Sequence, residues 1–198
     1  MAASDLIIEQ GKTFGKTLRW ETGPVVYKAI TAITQAAPAR ITCPSHGLTT
    51  GWRVAVVSVK GMTQINASST PPKAKDYTKA TVVDSNTIEL NAVNAADYKA
   101  YTSGGYVQYN TPVDMTGYTA RMAIKDKIGG TVLLSLTTVN SRIVLDNTAK
   151  TIRLTISATD TAAITWTKGV YDLEMVSAGG EVTRLLSGAV TVQREVTT

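Results

Sequence analysis

Ile41-Thr42-Cys43-Pro44-Ser45-His46-Gly47-Leu48, followed by Gly51-Trp52-Arg53-Val54, opens a pattern that continues through Gly61-Met62-Thr63 and Asn86-Thr87-Ile88-Glu89-Leu90 to Tyr101-Thr102-Ser103-Gly104-Gly105. Short apolar and β-branched runs alternate with Gly, Pro, Asn and Ser, which is the chemistry of strands joined by turns. Val54, Val56 and Val59 are expected inside on one strand, Val82 and Val83 on a later one, and Ile88 and Leu90 on another. This gives a compact barrel-like unit of about four to six strands.

The segments on either side make sense when joined to each other. Leu6 and Ile8 alternate with polar neighbours, and Phe14, Leu18 and Trp20 lie at even spacing, so the opening reads as two strands. Glu21-Thr22-Gly23-Pro24 breaks the second strand. Past the middle module, Thr111-Pro112-Val113-Asp114-Met115-Thr116-Gly117-Tyr118 reads as a turn. After it Ala120, Met122 and Ile124 face one way while Arg121 and Lys125 face the other.

Val132, Leu134 and Leu136 make the next strand, and Ile143 and Leu145 pair with Ile152, Leu154 and Ile156 across Asp146-Asn147-Thr148. Thr159-Asp160-Thr161-Ala162-Ala163-Ile164 suits a single helical turn capped by its Thr. Tyr171, Leu173 and Met175 then alternate with Asp172 and Glu174, Gly179-Gly180 turns the chain, and Val182 to Leu186 with Val190 and Val192 completes a meander. The expected fold is all-β: an antiparallel β-sandwich of residues 1–30 and 108–198, with a small β-barrel-like module, 31–107, inserted in an early turn.

Composition excludes several functional classes. The net charge of +5 is spread along the 198 residues, and only Lys73, Lys75 and Lys79 form a local basic stretch, interrupted by Asp76. Without aromatic interleaving this reads as a solvated loop, so no nucleic-acid partner is expected. The single cysteine, Cys43, has no partner for an internal disulfide, and with one histidine, His46, it cannot complete a structural zinc site. The longest apolar run, Val54-Ala55-Val56-Val57, is far too short to span a bilayer, and Met1 to Lys12 lacks the apolar core of a signal peptide. The expectation is a soluble protein made in a reducing cytoplasm, with no membrane partner.

Catalytic chemistry is also sparse. His46 is the one conventional base; it sits in a Pro-Ser-His-Gly turn, with Ser45 adjacent in sequence and Cys43 on a strand end, which is not the arrangement of a triad. Asp114, Asp172 and Glu174 are the carboxylates available for hydrolytic chemistry, but Asp172 and Glu174 alternate with a core-facing set and should face solvent. Gly104-Gly105 and Gly129-Gly130 lack the following helix that a phosphate loop needs, and Asp146-Asn147 is explained as a turn. No catalytic residue, cofactor or metal is assigned, and the chain is read as a non-enzyme.

Two resemblances follow from these phrases. The strand pair ending in Trp20, Pro112-Val113-Asp114-Met115-Thr116-Gly117-Tyr118-Thr119-Ala120-Arg121-Met122, Gly169-Val170-Tyr171-Asp172-Leu173-Glu174, Leu185-Leu186-Ser187-Gly188 and the closing Glu195-Val196-Thr197 resemble the amino-terminal domain of phage baseplate upper proteins. His46-Gly47-Leu48, Gly51, Gly61-Met62-Thr63-Gln64-Ile65-Asn66, Tyr98, Tyr101 and Gly104-Gly105 resemble a module of phage proteins named after the first catalytic-cysteine half-domain of ubiquitin-activating enzymes. That name denotes a β-fold and carries no ubiquitin or nucleotide chemistry onto Cys43. The chain departs from the second pattern after Asn66, where Ala67 to Asp76 adds a loop expected to be exposed.

The resemblance implies a structural virion protein of a tailed phage, in the tail, baseplate or neck, synthesised in the bacterial host cytoplasm. It implies other virion proteins as partners and homo-oligomerisation as a ring or trimer, through strand edges and sheet faces. The alternatives are a capsid decoration protein and a module that binds a host-surface glycan, with Tyr98, Tyr101 and Tyr106 as a stacking platform. Trp52 and Trp166 are candidate contact residues if exposed, and Lys73 and Lys75 are the loop candidates.

Overall fold

A computed structural model describes residues 2–196; Met1, Thr197 and Thr198 lie outside them, and with Thr197 the end of the closing Glu195-Val196-Thr197 phrase. The opening strands are β1 (Ala2–Ala3), β2 (Leu6–Glu9) and β3 (Phe14–Leu18). The middle of the chain contributes β4 (Glu21–Ala29), β5 (Ala32–Ile33), β6 (Ala39–Thr42), β7 (Arg53–Lys60), β8 (Thr78–Lys79), β9 (Thr81–Val82), β10 (Thr87–Leu90) and β11 (Ser103–Pro112). Then come β12 (Thr119–Lys125), β13 (Val132–Thr137), β14 (Ile143–Asp146), β15 (Thr151–Ile156), the helical turn α1 (Ala158–Ala162), β16 (Lys168–Val176) and β17 (Val182–Gln193). The class is all-β.

The chain divides into two compact units, Met1–Trp20 with Asp114–Thr198, and Glu21–Val113. These boundaries differ from 31–107, because β4 and the end of β11 belong to the middle unit. Glu21-Thr22-Gly23-Pro24 does not end a strand: β4 runs through it and pairs antiparallel with β11 from Ala29↔Tyr106 to Glu21↔Pro112. The break that Gly23-Pro24 imposes is a register shift opposite Asn110/Thr111, a bulge within a continuing ladder.

In the split unit, one sheet has the order β1-β17-β16-β12-β13, with β2 also on β17, and a second has the order β14-β15-β3. Alternation explains the layers: Ala120, Met122 and Ile124 of β12, with Tyr171, Leu173 and Met175 of β16, meet Ile152, Leu154 and Ile156 of β15 in one buried core. The hairpin pairs Ile143 with Leu154 and Leu145 with Ile152, as the pattern implies. The helical turn forms too, but its cap is Ser157, whose Oγ accepts the Asp160 N–H at 3.1 Å, rather than Thr159.

The opening strands do not pair with each other. β3 joins β15 in the smaller sheet, whereas β1 and β2 lie parallel to β17, so the sandwich is antiparallel except at this junction. Gly188 permits the approach: a Cβ there would stand 2.6 Å from the Ser4 carbonyl oxygen. Tyr171, almost fully buried, donates its hydroxyl to the same Ser4 carbonyl at 2.5 Å. On the outer face of the large sheet Arg121 pairs with Glu174 at 2.8 Å and Arg184 with Asp172 at 3.3 Å.

The middle unit is barrel-like, with two four-stranded sheets, β5-β6-β10-β9 and β4-β11-β7-β8, around a second core. Ala39, Ile41, Ile88 and Leu90 come from the first sheet, and Val54, Val56, Val107 and Tyr109 from the second. Val83, expected inside, is instead 46% exposed just past the end of β9. Trp52 is buried at the centre of this core and its indole Nε1–H donates to the Asn110 carbonyl at 3.2 Å.

Candidate functional site

The outer face of the β4-β11-β7-β8 sheet carries the largest uncovered aromatic surface in the middle unit. Along β4, Val26 packs against the core while Val25 and Tyr27 point away from it, by the two-residue period of a strand. Along β11, Val107 and Tyr109 are inside, which turns Tyr106 and Gln108 outward. Tyr27 and Tyr106, 56% and 45% exposed, meet edge to face with ring centroids 6.1 Å apart.

The period fails once, on β7. Val54 and Val56 point inward, yet Val59 rather than residue 58 is the next core side chain. The cause is Ser58, which sits at φ 61 in the left-handed region, opposite Gly104 and Gly105 at φ 70 and 88. Gly105 has no room for a side chain, since a Cβ would lie 2.4 Å from Cγ2 of Val59. The distortion turns both Val57 and Ser58 toward the outer face, where they line a cleft of about 500 Å³ with Tyr27, Gln108 and the loop carrying Pro71 and Pro72.

The loop after Asn66 is the wall of this cleft, and it is pinned. The Asn66 side-chain amide exchanges two hydrogen bonds with the Val59 backbone, at 2.8 and 3.0 Å. The Asp76 carboxylate accepts from the Ser68 N–H and hydroxyl and from the Lys73 N–H, at 3.0, 2.7 and 2.8 Å, and these donors hold it well below the usual carboxylate range. The addition read from sequence as a solvated loop is therefore exposed but built.

Gln108 is 5% exposed although it lies on the outer face. Its Nε2 donates to the Tyr77 hydroxyl at 3.1 Å, and the Tyr77 ring lies under the Arg53 guanidinium, 5.2 Å from its carbon. Arg53 is gripped by Glu21 through two bonds of 2.6 Å, an interaction that raises the guanidinium pKa further. This chain of contacts pairs Arg53 with a carboxylate and fixes the amide that faces the cleft.

The predicted contact residues scatter. Trp52 is in the core, so it offers no contact surface, and Trp166 is half-buried against the sandwich core. Tyr98 and Tyr101 pack half-buried against the middle core, and the Tyr101 hydroxyl donates to the Ile30 and Gly104 carbonyls at 3.0 and 3.1 Å. The platform of Tyr98, Tyr101 and Tyr106 therefore does not assemble; Tyr106 is its one exposed member and its partner is Tyr27. Lys73 and Lys75 are exposed at the 3₁₀ turn Ala74–Asp76.

The titratable groups weighed for catalysis are engaged in structure. His46 is buried, its Nδ1 accepting the Leu48 N–H at 3.0 Å and its Nε2 lying 2.8 Å from the Asp84 carbonyl, and its own carbonyl accepts the Tyr109 hydroxyl. Burial pushes the Cys43 thiol up to about 11. Asp114 accepts from the Thr116 hydroxyl and N–H and from Asn147 Nδ2, which lowers it to about 2. Among the described residues no group of three or more His, Cys, Asp or Glu is placed to hold a metal ion. No protein-family model matches the chain, and no curated protein matches it at significance.

Proposed function

We propose that the chain is a non-enzymatic structural protein of a tailed-phage particle, placed in the tail, baseplate or neck, that works through contacts with its own copies and with other virion proteins. The observation that carries the reading is where the resembling phrases fall. Gly117 turns the chain into β12, Tyr171-Asp172-Leu173 alternates out and in along β16, and Leu185-Leu186-Ser187-Gly188 lies on β17 where the opening strands dock. The resembling phrases on β12, β16 and β17 thus fall on strands that share one core, and the phrase at 113–118 forms the turn that leads into β12.

Contact surfaces are available. Ile128 and Val139, in the connections that follow β12 and β13, are each 92% exposed and are the positions at which a partner contact is tested. An amber mutation in the reading frame tests the proposal. It is expected to leave particles with incomplete tails, restored when the chain is supplied in trans but not when Ile128→Asp or Val139→Asp is supplied. Normal, infectious particles made without the chain would contradict it.

A further inference from the structure

We infer that the cleft beside Tyr27 is a binding site for a neutral saccharide. The inference goes beyond the virion proposal and does not rest on it.

Four observations point to this ligand class. The lining holds no ionised side chain: Tyr27, Val57, Ser58, Ser69, Pro71 and Gln108 are representative, so a charged ligand would lose hydration there and gain no partner. Its apolar part is a tyrosine ring with Val57 and two prolines, suited to the C–H face of a pyranose. Its polar part is hydroxyls and two amides, Gln108 and the Asn66 that is bonded to the Val59 backbone, suited to the sugar's alternating hydroxyls. Finally, Gln108 is 5% exposed and its Nε2 is held by the Tyr77 hydroxyl, so its amide stands in the lining in a fixed orientation.

The cleft is also constructed rather than incidental. The left-handed Ser58 costs backbone strain, and the glycine pair opposite tolerates no side chain at Gly105; the result is that Val57 and Ser58 both face the cleft. Opposite them, the Asp76 carboxylate holds the loop wall in place. At about 500 Å³ the space matches a short oligosaccharide, within the roughly 300–1,000 Å³ typical of ligand pockets. Tyr106, edge to face with Tyr27, is a positioning residue for the platform.

The test uses the full chain on an array of neutral, sialylated and sulfated oligosaccharides, with a proline-rich decapeptide as a counter-probe. The best neutral binder is then titrated by amide NMR. The expected result is binding of neutral glycans, with shifts concentrated at Tyr27, Ser58, Ser69 and Gln108. Tyr27→Ala should weaken affinity about tenfold or more, while Tyr27→Phe, which keeps the stacking face, should stay within about threefold. Asp76→Asn should weaken binding while the core amide spectrum is unchanged. Binding of no neutral glycan, preference for charged glycans or for the peptide, shifts mapping elsewhere, or full affinity in Tyr27→Ala would each overturn the inference. None of these outcomes bears on whether the chain is part of a virion.

Discussion

The sandwich and the middle unit are both all-β and use polar side chains alike, and they differ in the aromatic surface they expose. On the sandwich Arg121 pairs with Glu174 across strands, and the middle unit has the same kind of pair in Arg40 and Glu89. Polar side chains hold backbone in both, Asp114 and Asn147 in the sandwich and His46, Asn66 and Asp76 in the middle unit, whereas the exposed tyrosines, Tyr27 and Tyr106, are on the outer face of the middle unit. A pinned loop beside open aromatics suits recognition.

The largest expected effects come from the two cores. Trp52→Ala should cost about 3–5 kcal/mol and Leu173→Ala about 2–5 kcal/mol, measured by denaturant unfolding. Cys43, fully buried in the middle core with a raised pKa, makes the comparison sharper: its alkylation rate reports opening of that unit. Trp52→Ala should accelerate alkylation more than Leu173→Ala does, and equal acceleration would show that the two cores open as one.

Next in size is Gly105→Ala, expected to cost about 1–3 kcal/mol because it combines a left-handed backbone with a clash against Val59. The check is denaturant unfolding beside Gly129→Ala, also left-handed but in open space. Equal costs would remove the close β7–β11 approach as the reason for the cleft's shape.

Acid should affect both units late. Asp114 and Asp76 have folded pKa values below the ordinary 3.8, so their contribution is complete above 3.8 and is lost as pH falls through the folded values, about 2 for Asp114. Thr116 and Ser68 amide shifts should therefore hold steady down to that ordinary value and move only below it. Movement at higher pH would mean that the carboxylates are not held as described. The smallest effect should be Arg121→Ala, about 0–1 kcal/mol, because its ion pair is on the surface.

Much of the sandwich was legible because its information is local. The alternation in β12, β15 and β16 and the turn at Asp146-Asn147-Thr148 are each written in a few consecutive residues, and each took the expected place. The parallel docking of β1 and β2 on β17 joins the two ends of the chain, and no short pattern encodes it. The cleft was hidden for a related reason. Tyr27 belongs to a segment that Gly23-Pro24 made look like a break, and its pairing with Tyr106 depends on register across β4 and β11. Tyr98 and Tyr101 looked equivalent to Tyr106 in sequence, but only the strand face decides which ring meets solvent. One local signal was available for Ser58: Val54, Val56 and Val59 cannot share a face along a regular strand.

The most direct measurement is the copy number of the polypeptide in purified virions, by quantitative mass spectrometry referenced to the major capsid protein. The account predicts roughly three to twelve copies per particle, the number of a symmetric tail, baseplate or neck ring. Hundreds of copies would contradict the tail assignment and make the chain a capsid decoration, and absence from the particle would contradict the structural role itself.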